Sequence, residues 1–162
     1  MKCMRKFASI ILALVMVMGL ATTASATQEG NLTGGSITIN DAVKGQTYNA
    51  YQILYLESYN ATNKAYLYKA NSAWETWLRT QTTYVTFDNE GYVTWVDGAD
   101  AAAFAKLAQV EAAKMTADAT STADSTTVKF ENLKLGYYLV DTTLGTLCSL
   151  PEPPDNCPAR YS

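Results

Sequence analysis

The chain has no histidine. That removes the commonest general base and the commonest metal ligand, and with them any Ser–His or Cys–His catalytic pair. Cysteine is sparse, with three in 162 residues, Cys3, Cys148 and Cys157. No Cys-x-x-Cys occurs, and no spacing suits a zinc site. Proline is absent before Pro151, so nothing of that kind interrupts strand formation over the first 150 residues. No glycine-rich phosphate loop follows a strand, and no internal repeat is present. Basic residues are outnumbered, 12 against 15 acidic. An acidic chain is a poor nucleic-acid binder, because phosphate contacts need Lys and Arg.

The one long apolar run stands at the N-terminus. Lys2, Arg5 and Lys6 precede "FASIILALVMVMGLA", and "TTASA" follows, with Ala24 and Ala26 in the small-residue pattern of a signal-peptidase site. This is the order of a secretory signal peptide. The run is shorter than the ~20 residues that a membrane span needs. Cleavage after Ala26 is expected, with no membrane span remaining. Removing the three leader cations leaves 9 basic against 15 acidic residues, a secreted acidic chain that fits one domain. Outside the cell Cys148 and Cys157 are a possible disulfide.

Residues 27–35, "TQEGNLTGG", read as a flexible polar lead-in. "SITIN" alternates like a short strand, and "DAVKG" is a turn. "TYNAYQILYLESY" is the strongest strand signal of the front half. Tyr51, Ile53 and Tyr55 fall on one face and Tyr48, Ala50 and Leu54 on the other. Both faces are apolar, which predicts a central strand buried on both sides. "AYLYKA" is its expected hairpin partner. Trp74, Trp77 and Leu78 make a helical stripe, with Ser72 and Glu75 in a capping-box pattern. "YVTFDNEGYVTW" predicts a hairpin turning at Gly91. A second helix follows Asp100 as N-cap, with Phe104, Leu107, Ala108 and Met115 as its apolar stripe. "TADATSTADSTT" reads as a low-complexity loop. "TVKF", "YYLVD" and "TLCSL" are further strands. The order predicts a mainly β, α+β fold: an antiparallel sheet structure with two inserted helices.

Chemistry is thin. Asp97 and Asp100 suggest helix capping rather than a calcium loop, since the EF-hand spacing is absent. No cofactor and no metal is expected. The 11 Tyr and three Trp suit strands and cores, and equally a platform for sugars. An enzyme is not expected. A structural surface protein is the leading reading, and a free secreted carbohydrate-binding β-sandwich using exposed Tyr and Trp is the alternative.

"VKFENLKLGYYLVDTT" makes the first reading specific. It resembles the closing strands of Gram-positive sortase-assembled pilins, whose pattern is an apolar strand, a Leu-x-x-Gly turn, then Tyr-x-Leu-x-Glu-Thr. Phe130, Leu133, Gly136, Tyr138 and Val140 keep that pattern, and Asp141-Thr142 stands for Glu-Thr. "GSITINDAVKGQTYNAYQIL" and "GYVTWVDGADAAAFAKLA" resemble the N-terminal domain of the same fimbrial family, over residues 34–150 in all. The resemblance implies an Ig-like β-sandwich over 36–150 after a signal peptide at 1–26, with an irregular tail at 151–162. It also implies a cell-wall fimbrium, secretion, sortase and other pilin subunits as partners, and attachment to a host surface ligand. Asp141 is the one match to the carboxylate that assists an internal Lys–Asn isopeptide bond in such domains; otherwise it is a solvated acid at a strand end. "SITIN" carries no Lys, Lys44 lies in a turn, and Asn156 lies in the proline-rich tail, so no such bond is expected. The pilin Lys motif and sorting signal are also missing. The expectation is therefore an N-terminal domain only, truncated and lacking its last strand.

Overall fold

The computed structural model describes residues 15–17, 28–29, 32–60 and 65–142. Ala24, Ala26, Cys148, Cys157, Asn156 and the "TLCSL" strand lie outside the described residues. The elements, in chain order, are β1 (Val15–Val17), β2 (Gln28–Glu29), β3 (Gly35–Asn40), β4 (Thr47–Asn60), β5 (Ala65–Ala70), α1 (Ser72–Leu78), β6 (Val85–Phe87), β7 (Tyr92–Trp95), α2 (Ala101–Ala112), β8 (Ala119–Thr122), β9 (Thr127–Leu133) and β10 (Gly136–Thr142). They form a mixed α/β fold with two antiparallel sheets and two helices.

The long strand β4 organises the larger sheet. One of its edges pairs first with β10 and then with β2; the other pairs first with β8 and then with β5. The interval between β8 and β5 is closed by other groups. The Asp118 N–H bonds the Ala50 carbonyl, the Gln52 N–H donates to Asp118 Oδ2 at 2.7 Å, and the Asn71 N–H reaches the Ile53 carbonyl. The backbone of β4 thus keeps its partners where no strand lies beside it. Beyond β5 the sheet continues through β7 and β6, and beyond β10 it ends at β1. The smaller sheet is β3 with β9.

Two apolar cores result. The first lies between the sheets and joins Ile37 and Ile39 of β3, Val128 and Phe130 of β9, and Tyr138 and Val140 of β10. The second lies on the opposite face of the larger sheet, where Tyr51, Ile53 and Leu139 meet Trp74 and Leu78 of α1 and Phe104 and Ala108 of α2. The alternation read in β4 matches this division: Tyr48 and Ala50 enter the first core, Tyr51 and Ile53 the second. Leu54 does not follow. It packs with the second core, because the β10–β4 ladder slips at Ile53, which has no partner in β10.

Other expectations are corrected as well. Asn71, not Ser72, caps α1: its extended backbone lets Oδ1 accept from the Ala73 N–H. Glu75, instead of completing a capping box, bonds Arg79 one turn on at 2.7 Å. In α2, Asp100 is the N-cap as expected, accepting from the N–H groups of Ala102 and Ala103. Its inward face is Phe104, Ala105, Ala108 and Ala112, while Leu107 is 44% exposed. Within "TADATSTADSTT", residues 119–122 form β8 and Ala123 is buried. In the polar lead-in, Gln28 and Glu29 pair with β4, and Gly35 already belongs to β3.

Candidate functional site

Asp141 comes first. Successive residues of a strand face opposite ways. Val140 enters the core between the sheets, so Asp141 turns toward the helices. There Gln109 of α2 donates to its Oδ1 at 2.8 Å, and the Thr142 N–H donates to the same oxygen at 2.8 Å. Its charge also acts on Tyr51, whose phenol is raised above the usual tyrosine range first by burial and then by that carboxylate. Lys44 is exposed in the turn between β3 and β4. Asp141 is thus half-buried beneath α2, on the opposite face of β10 from β3.

The other residues of the closing motif have packing duties. Phe130, Leu133, Tyr138 and Val140 all belong to the core between the sheets. The Tyr138 hydroxyl donates to the Lys134 carbonyl at 2.9 Å, tying β10 back to the β9–β10 corner. Gly136 lies against the neighbouring strand: a Cβ built there would stand 2.0 Å from the Leu54 carbonyl oxygen. Only glycine permits that approach.

Asp97 and Asp100 flank the turn that leads into α2. Asp100 spends its carboxylate on the α2 N-terminus. Among the described residues no group of three or more acidic or cysteine side chains converges in a way that could hold a metal.

The tryptophans form no flat row. Trp74 is buried, and Trp77 and Trp95 are half-buried. Phe104 is their hub, with ring centroids 5.6 Å from Trp77, 5.5 Å from Tyr84 and 5.2 Å from Trp95, the last perpendicular. Trp74 meets Trp77 edge-on at 70°. These are the offset and edge contacts of ring packing.

Beside that cluster the fold leaves a cavity of about 430 Å³. Its origin is visible in the ladder. β5 and β7 pair only at Tyr68–Val93 and Lys69–Tyr92. Beyond that they part, with Tyr66 on one strand and Thr94 and Trp95 on the other. The opening is lined by Tyr66, Tyr68, Tyr137, Trp95 and Phe104, with aliphatic groups such as Ile53 and Leu78 below. Tyr68 and Tyr137 meet edge-on at 4.9 Å and are hydrogen-bonded. Burial, and then the neighbouring Tyr137, push the Tyr68 phenol well above its usual range, so it stays neutral.

A second, polar recess of about 340 Å³ lies near Lys69 and Arg79. Both cations have acidic partners: Lys69 meets Glu57 at 3.5 Å and Arg79 meets Glu75 at 2.7 Å. The sequence marked β5 as a strand but did not reveal the aromatic cavity. Tyr66 and Tyr68 stand two apart along β5, and that β7 would part from them is not written locally. Comparison with protein-family models, curated proteins and solved structures found no match to this chain.

Proposed function

We propose that the chain is a structural domain of a Gram-positive cell-surface fimbrium, acting in attachment rather than catalysis. In this reading it is an antiparallel Ig-like β-sandwich with two inserted helices, secreted and held at the cell wall, with sortase and other pilin subunits as partners. The observation that carries it is the β9–β10 corner. Tyr138 reaches back to the Lys134 carbonyl, the kind of contact that fixes the tyrosine corner of Ig-like sandwiches. The residues that keep the pilin-like pattern are the ones that build this corner and the core beneath it. Their chemistry is that of a rigid building block.

The edge of β10 supports the same reading. Gly136–Tyr138 pair with β1 on one side, but β1 lies within the leader that secretion would remove, so in the secreted form the whole of β10 pairs, among the described residues, only with β4. Both faces of Leu139 and Val140 are covered. A further strand, from residues beyond 142 or from another chain, would satisfy the remaining edge. Antibody raised against residues 32–142, applied to wall digests of producing cells, tests the proposal. The expected result is antigen retained in the wall fraction and released from it together with other fimbrial subunits. Recovery solely as free protein that binds polysaccharide would favour the carbohydrate-binding alternative instead.

A further inference from the structure

We infer that the cavity between the parting ends of β5 and β7 is a binding site for a neutral, ring-containing small molecule. The ligand would lie between aromatic faces, with one polar group turned to the Tyr68–Tyr137 hydroxyls. The site is independent of the fimbrial reading, which rests on the β9–β10 corner.

Four observations carry it. The volume, about 430 Å³, falls within the range of small-molecule pockets, and is too large for an ordinary packing gap. No charged side chain lines it, so an ionic ligand would be desolvated without compensation. The lining is chiefly apolar and carries five rings, which offer broad faces to another ring. The polar groups at hand are few and neutral, the phenols and the Thr94 hydroxyl. That is too sparse to replace the hydration of a sugar's many hydroxyls, and sufficient to orient a molecule with one.

N-phenyl-naphthylamine, a neutral two-ring fluorophore, is a suitable probe on protein purified from a Gram-positive expression host. Saturable one-to-one binding is expected, with quenching of tryptophan emission and shifts in the amide resonances of Thr94, Trp95 and Tyr137. Naphthoate, similar in ring but anionic, should bind at least about tenfold more weakly. Methyl glucoside should not compete. Thr94→Trp and Ala101→Phe, each enlarging a lining residue that is exposed in the fold, should each reduce probe affinity at least about tenfold. Leu107→Ala, on the exposed side of α2, should leave it unchanged. The inference is overturned if the unmodified protein shows no saturable binding, if the amide shifts fall elsewhere, if naphthoate binds as well as the probe, or if methyl glucoside displaces it. The resonance shifts are read on the unmodified protein, so they decide the matter even where a variant fails to fold.

Discussion

The two cores that share β4 and β10 are built by different means. Between the sheets, side chains arrive from strands at period two and interdigitate: Ile37, Ile39, Val128, Phe130 and Val140 are each no more than 4% exposed. On the other face, two short helices cover the sheet, and their rings meet those of its β6–β7 end at tilted or edge-on angles. That side borders the cavity and contains the half-buried Trp77 and Trp95. Sheet-on-sheet packing repeats one geometry along the strands, so complementary residues can fill it. Bulky rings between helices and a parting pair of strands cannot tile the space so evenly. The close-packed side suits stiffness, and the looser side suits recognition.

Substitutions can break or sharpen this contrast. Phe130→Ala should have the largest effect, a loss of about 3–5 kcal/mol on urea unfolding, since the core between the sheets is closely packed around the deleted ring. Gly136→Ala should cost about 1–3 kcal/mol or more, because the new methyl group meets the Leu54 backbone and a strand must shift. A matched pair tests the contrast itself. Val140→Ile adds one methylene to the tight core and should cost about 1–3 kcal/mol, whereas Val85→Ile, beside the cavity, should change stability by less than about 0.5 kcal/mol. Equal costs for the two would show that the helix side is as tightly packed as the core between the sheets.

The smallest effect concerns pH. Tyr68 and Tyr138 are both held above the ordinary tyrosine range, first by burial. The folded form therefore keeps protons that the unfolded chain releases near pH 10. Their contribution to stability is complete below that pH and is lost as pH rises toward the folded values. Tyr68→Phe should flatten the alkaline fall in melting temperature, and phenolate absorbance should appear late in the native protein and together with unfolding.

Much of this architecture was legible in local pattern. The doubly apolar β4, the Gly91 hairpin and the Asp100 cap depend on neighbours in sequence, and each formed where the pattern put it. The misses have a common cause in long-range geometry. Leu107 has the right spacing for an inward face, yet α2 presents Ala105, Ala108 and Ala112 to the sheet, where small residues allow close approach. β8 contains nothing apolar beyond alanine, because it is held by the backbone groups of β4, which sequence does not display. The need for glycine at 136 is set by the Leu54 carbonyl, 82 residues earlier in the chain. Asp141 was legible as a singular acid at the end of β10; that it turns toward Gln109 follows from strand parity together with the position of α2.

The most direct test of the central proposal is immunogold electron microscopy on intact producing cells, using antibody to residues 32–142. Gold particles arrayed along filaments that leave the cell surface are the predicted result. Unlabelled surfaces, with all of the antigen free in the medium, would contradict it.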